Sequence, residues 1–149
     1  MRGVTQLAHV ALKVKDLDRS LDFYVNKLGF HEMMRLAKPD NSPGVWLVYL
    51  RITDDQYLEL FPDGEGDRAP GSEATGMNHL CLGVADIDRV IEDLKAANVP
   101  LTIQKKMAAD LNWQCWINDP DGNRIEIMQL MPNCLQLAAI KKLKSEGKA

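Results

Sequence analysis

The sequence predicts an α+β chain of two tandem βαβββ modules whose sheets lie side by side as a cupped open barrel, with a helix added at the C-terminus. Three observations carry this reading. The chain repeats itself: His9 to Arg19 reads H-V-A-L-K-V-K-D-L-D-R, and His79 to Arg89 reads H-L-C-L-G-V-A-D-I-D-R. Each copy is later followed by a glutamate inside a strand-like run, Tyr57-Leu58-Glu59-Leu60-Phe61 in the first half and Arg124-Ile125-Glu126-Ile127-Met128 in the second. Alternating and helical apolar spacings also succeed one another in the same order in both halves. At 149 residues the chain is long enough to bury ~68–70% of its unfolded surface as one unit. Half-sized repeats of this kind cover each other's apolar faces. Residues 1–149 are therefore expected to form one domain, made of modules 5–62 and 77–131 and a helix over 134–146.

The first strand is expected over Leu7–Val14, where Ala8, Val10, Leu12 and Val14 alternate with His9, Ala11 and Lys13. Asp16 or Asp18 then caps a helix bearing Leu21, Phe23, Tyr24 and Leu28, which Gly29 stops. Three further strands follow over Phe30–Leu36, Val45–Ile52 and Tyr57–Phe61, separated by turn-forming Pro39–Gly44 and Thr53–Gln56. Pro62–Gly76, with four Gly and two Pro, reads as the connector. The second half predicts a strand over Met77–Val84 and a helix over Ile87–Ala97 carrying Ile87, Val90, Ile91 and Leu94. Strands over Leu101–Gln104, Trp113–Asn118 and Arg124–Leu130 complete it, with Asp119-Pro120-Asp121-Gly122 as the turn between the last two. Cys134–Lys144 has the spacing of an amphipathic helix, with Leu137, Ile140 and Leu143 on one side.

Composition excludes several function classes. A net charge of −3 with dispersed Lys and Arg leaves no basic footprint for nucleic acid. The one basic cluster, Lys141-Lys142-Leu143-Lys144, reads as the solvated face of the last helix. No apolar run approaches the ~20 residues of a membrane span. Met1 to Gln6 leads into the first strand without a signal peptide's apolar region. Three cysteines, Cys81, Cys115 and Cys134, form no C-x-x-C pair, which suits a reducing compartment. A cytosolic protein is the expectation.

The repeat also concentrates chemistry. A lone His in an apolar strand usually serves packing, and a lone Glu in one usually marks a solvated face. Here His79 follows His9 by 70 positions and Glu126 follows Glu59 by 67, so the four form two register-matched pairs. Burying two carboxylates together is costly unless a cation neutralises them. Symmetric packing of the modules would bring two imidazoles and two carboxylates to one divalent ion, a donor set that suits Zn, Ni, Co, Mn or Fe. The candidate metal ligands are His9, Glu59, His79 and Glu126.

These residues resemble the vicinal-oxygen-chelate superfamily, which includes glyoxalase I, methylmalonyl-CoA epimerase, extradiol dioxygenases and fosfomycin- and bleomycin-resistance proteins. The resemblance covers residues 5–131. It rests on the His9 strand, Asp16-Leu17-Asp18-Arg19-Ser20-Leu21-Asp22-Phe23-Tyr24, Leu28-Gly29-Phe30, His79, and Asn118-Asp119-Pro120-Asp121-Gly122-Asn123-Arg124-Ile125-Glu126. It implies a cupped sheet around a divalent metal, commonly within a homodimer, and a small-molecule substrate. The His, Glu, His, Glu set looks most like bacterial glyoxalase I, a lyase or isomerase that moves a proton next to a carbonyl through a metal-bound enediolate. That resemblance implies Glu126 as the first candidate base and Glu59 as the second. Lys13, Trp116 and Arg124 are the candidate substrate contacts. Lys13 stands where the bacterial enzymes generally carry an arginine for glutathione, and Leu60-Phe61-Pro62-Asp63-Gly64 supplies no asparagine after Glu59. The substrate is therefore expected to be another small oxygenated compound: a keto-sugar, a keto acid or an acyl thioester. Two alternatives stand beside this reading: an extradiol-type Fe(II) oxygenase using His9, His79 and Glu126, and a non-catalytic small-molecule binding protein.

Overall fold

The computed structural model describes residues 3–148; Met1, Arg2 and Ala149, which the N-terminal reading and the 1–149 domain boundaries include, lie outside the described residues. The chain divides into two compact units between Ala69 and Pro70, inside the connector expected from its Gly and Pro content. The fold class is α+β, as the repeat predicts.

In the first unit, β1 (His9–Lys13), β2 (His31–Ala37), β3 (Val45–Arg51) and β4 (Tyr57–Phe61) form one sheet in the order β1-β4-β3-β2. β1 runs parallel to β4 and the other neighbours are antiparallel. A parallel pair needs a crossover, and α1 (Leu17–Leu21) begins it. Asp16 caps α1 by accepting from the Arg19 amide at 3.0 Å. The helix then departs from the uniform one expected. From Asp22 to Lys27 it widens, and the Leu28 amide bonds five residues back to the Phe23 carbonyl at 3.0 Å. The widened segment buries Phe23 and Tyr24, whose rings meet edge to face at 5.1 Å, with Tyr24 also stacked on Phe30. Gly29, at φ +75°, ends it. Along the sheet, Val48, Leu50, Leu58 and Leu60 pair across β3 and β4 on one fully buried face.

The second unit repeats this arrangement with β5 (Leu80–Gly83), α2 (Ile87–Ala96), β6 (Ile103–Met107), β7 (Trp113–Asn118) and β8 (Arg124–Gln129), in sheet order β5-β8-β7-β6. Asp86 caps α2 through the Asp88 and Arg89 amides, and Gln129 Oε1 accepts from the Ile87 amide at 2.9 Å. Asp119 builds the turn between β7 and β8. Its carboxylate accepts from the Asp121 and Asn123 amides at 3.0 and 2.7 Å and from Asn123 Nδ2 at 2.8 Å, with Gly122 at φ +85°. The turn delivers Arg124 and Glu126 to the sheet.

Three strand boundaries correct the sequence reading. β1 and β5 start at His9 and Leu80 rather than Leu7 and Met77, so His79 stands just ahead of its strand. There the Asn78 side chain bonds the Ser72 carbonyl at 2.9 Å and fixes the local backbone in place of ladder bonds. β6 runs over Ile103–Met107, not Leu101–Gln104. Lys105 and Lys106 look like a strand's end, but Lys105 pairs with Asp88 at 2.6 Å and its ammonium lies 4.7 Å from the Trp113 ring centroid.

The last helix, α3 (Leu135–Ser145), is tied to the second unit by polar contacts. Fully buried Asn112 donates to Asp110 Oδ2 at 3.1 Å and to Gln136 Oε1 at 2.9 Å, and accepts from the Met131 amide at 2.8 Å. The expected apolar side of this helix, Leu137, Ile140 and Leu143, is exposed. Among the described residues no helix is long and apolar enough to cross a membrane. Asn112→Ala removes three part-buried hydrogen bonds and leaves the Met131 amide without its acceptor, so it is expected to lower unfolding free energy by about 1–3 kcal/mol. Urea titration followed by circular dichroism checks this; an unchanged midpoint would show that the network is dispensable.

Candidate functional site

Period two sorts each sheet into a buried face and an open one. In the first unit, Glu59 pairs with Ala11 on β1 and with Tyr49 on β3, so all three share the open face. His9 is the diagonal neighbour of Glu59, within reach of a long side chain. Its Nε2 lies 3.8 Å from Glu59 Oε2. Glu59 is buried at 7% exposure, whereas half of the His9 side chain is open to solvent. Desolvation, with the Glu59 carboxylate adding to it, raises the Tyr49 phenol above its ordinary pKa. Lys13 lies further along the same strand face, opposite Phe61, and is exposed.

The second unit repeats the geometry more tightly. Glu126 pairs with Cys81 on β5 and Trp116 on β7, and its Oε2 lies 3.2 Å from His79 Nε2. The side chains of Glu126 and His79 are 14% and 33% exposed. The Trp116 ring meets the His79 ring edge to face at 4.8 Å, and its Nε1 donates to Gln114 Oε1. The Arg124 guanidinium lies 4.5 Å from the Trp116 centroid and donates through Nη1 to Asn78 Oδ1 at 2.8 Å. Arg124 therefore reaches Asn78, not the neighbouring Glu126. The same Asn78 oxygen lies 2.9 Å from His79 Nδ1. A cavity of about 130 Å³ opens beside these groups, lined by Thr75, Met77, Asn78, His79, Asn123 and Arg124 among others. Cys81 is exposed by area, yet the sheet still desolvates its sulfur and Glu126 faces it. Its thiol is pushed up to about 12, which leaves it a poor nucleophile.

The structure thus brings His9 to Glu59 and His79 to Glu126. Among the described residues no group of three or more His, Cys, Asp and Glu side chains is gathered as a metal site. The four expected ligands stand as two separate pairs, one in each unit, each offering one imidazole nitrogen and one carboxylate oxygen. This donor chemistry fits a borderline divalent ion such as Zn or Ni. His31, at the start of β2 opposite Arg51, takes no part in either pair. Sequence reasoning passed over Tyr49 and Asn78. Tyr49 precedes Trp116 by the same 67 positions that separate the glutamates, a signal the repeat contained. Asn78 differs from its counterpart Ala8, so no echo marked it.

The family model of the Glyoxalase/Bleomycin resistance protein/Dioxygenase superfamily matches residues 6–127. The chain is 28% identical over 149 residues to a lactoylglutathione lyase of Pseudomonas putida, covering 83% of this chain and 84% of that protein. It is 31% identical over 98 residues to human mitochondrial methylmalonyl-CoA epimerase, covering 63% of this chain and 54% of that one. Among solved structures, the trypanothione-dependent glyoxalase I of Leishmania major superposes with a TM-score of 0.70 at 26% identity, over 98% of this chain and 100% of that one.

Proposed function

Because the chain belongs to the glyoxalase, bleomycin-resistance protein and dioxygenase superfamily, we propose that it is a divalent-metal-dependent lyase or isomerase that moves a proton on the carbon next to a carbonyl. The observation that carries this reading is the pair of His–Glu contacts at repeat-equivalent positions. In this proposal His9, Glu59, His79 and Glu126 together hold one ion (Zn, Ni, Co, Mn or Fe), and the two units act as one domain, in a cytosolic homodimer. A divalent cation bound by these groups supplies positive charge that stabilises negative charge developing on substrate oxygens.

The chain's own residues supply the rest. Glu126 is the base: it takes the proton from the carbon and returns it, within reach of the open face and sheltered by Trp116. Glu59, its repeat counterpart, is the second carboxylate. Lys13 and Arg124 offer cationic contacts for an anionic substrate, and Trp116 an apolar wall. Lys13 is a point charge without the bidentate fork of arginine. We therefore assign a small keto acid, keto-sugar or acyl thioester in preference to a glutathione hemithioacetal. The two named relatives, a lactoylglutathione lyase and an epimerase of an acyl thioester, both fit proton movement beside a carbonyl.

The test is to strip the protein with EDTA, reload it separately with each of the five metals, and follow solvent deuterium entering a panel of hemithioacetals, keto acids and acyl thioesters. Exchange is expected only in metal-loaded protein. Folded protein that retains no divalent metal overturns the proposal; oxygen uptake with catechols in place of exchange transfers it to the oxygenase reading.

A further inference from the structure

The two His–Glu pairs are not equivalent, and the difference lies in what stands behind each histidine. Asn78 is fixed at both ends. Its Nδ2 donates to the Ser72 carbonyl at 2.9 Å, and its Oδ1 accepts from Arg124 Nη1 at 2.8 Å. A carbonyl can only accept and a guanidinium can only donate, so the amide has one orientation. His79 Nδ1, 2.9 Å from that same Oδ1, must therefore carry the hydrogen. In a neutral imidazole the lone pair then sits on Nε2. That nitrogen faces Glu126 Oε2 at 3.2 Å. Two electron-rich atoms at that separation call for a positive charge between them, a proton or a metal ion. The brace is itself held: Arg124 lies 4.5 Å from the Trp116 centroid, and the Trp116 ring meets the His79 ring at 4.8 Å.

Among the described residues the first unit shows no such device. Ala8 and Tyr57 occupy the positions equivalent to Asn78 and Arg124. Alanine has no side-chain acceptor, and the Tyr57 hydroxyl donates to the Asp54 carbonyl at 3.1 Å instead.

We propose that Asn78 and Arg124 are positioning residues that lock His79 in its Nδ1–H tautomer, so that Nε2 is presented as a preorganised metal ligand while His9 is left to adjust. Its metal role rests on the proposed function; the lock itself is a property of the metal-free chain. Hydrogen-bonded partners behind a ligating histidine set its tautomer and basicity in general.

The experiment is long-range ¹H–¹⁵N NMR of the metal-free protein at a pH where imidazole is neutral, with His79 assigned from the spectrum of His79→Gln, paired with competitive zinc titration. Wild type is expected to show a protonated-type nitrogen at Nδ1 and a pyridine-type nitrogen at Nε2. Asn78→Ala is expected to bring in the opposite tautomer and to weaken zinc binding about 10–100-fold. Asn78→Asp keeps an oxygen acceptor at that position and is expected to restore the tautomer. A wild-type His79 protonated at Nε2, or an Asn78→Ala protein with unchanged tautomer and zinc affinity, overturns the lock. A locked tautomer in a protein that binds no zinc supports the lock and removes the metal reading, so the two failures are distinct.

Discussion

Glu126→Gln is expected to slow exchange of the substrate's α-proton by about 10²–10⁴-fold, the usual contribution of a positioned general base. The substitution keeps size and shape, so the packing of Glu126 between Cys81 and Trp116 is preserved. What it removes is a carboxylate able to accept a proton. It is expected to spare the metal-free fold: where Glu126 sets an acceptor 3.2 Å from His79 Nε2, glutamine offers an amide N–H donor to that nitrogen in the proposed tautomer. The variant's unfolding midpoint should therefore equal or exceed that of wild type. Losing one anionic ligand also weakens metal binding, so exchange must be compared at saturating metal, with deuterium incorporation read by mass spectrometry. Glu59→Gln, measured alongside, should show the smaller loss. A Glu126→Gln protein that exchanges at the wild-type rate would take the base role away from this residue, and a larger loss in Glu59→Gln would transfer it.

Much of this was written plainly in the chain. The repeated His-to-Arg segments placed both crossover units, and period-two alternation put Glu59 and Glu126 on the face opposite Leu58, Leu60, Ile125 and Ile127. Asp119 to Asn123 announced its turn because one carboxylate can accept from two following amides. Other features depend on contacts that no periodicity encodes. The widened helix over Asp22–Lys27 accompanies the packing of Tyr24 against both Phe23 and Phe30, contacts that the spacing of Leu21, Phe23, Tyr24 and Leu28 does not encode. The extent of β6 goes with Lys105, whose ammonium is met by Asp88 and lies over the Trp113 ring; composition alone reads two adjacent lysines as a strand end. Asn78 acts through a three-way hydrogen-bond geometry, and its meaning is carried by Arg124, 46 residues away. The repeat found the histidines and glutamates. It was silent on what distinguishes one pair from the other, because that distinction is where the repeat breaks.

The residue beside the proposed base separates stability from chemistry. Ile125 is fully buried and pairs with Leu80 and Ile117 on the face of the sheet away from Glu126. Ile125→Ala removes buried methyl and methylene groups and leaves a cavity, at a cost of about 2–5 kcal/mol. That is a large share of the 5–15 kcal/mol typical of a whole domain. The denaturation midpoint should fall with little change in slope, while exchange per folded molecule stays within a few-fold of wild type. Glu126→Gln, one position along, should give the opposite pair of results. Leu58, equally buried, is the repeat counterpart of Ile125, so Leu58→Ala makes the same test in the first unit. If the two units form one cooperative domain, as proposed, either substitution lowers a single shared transition seen by every probe. Should Leu58→Ala shift only one of two separate transitions, and Ile125→Ala only the other, the units fold independently. The single-domain proposal then fails, whatever becomes of the chemistry.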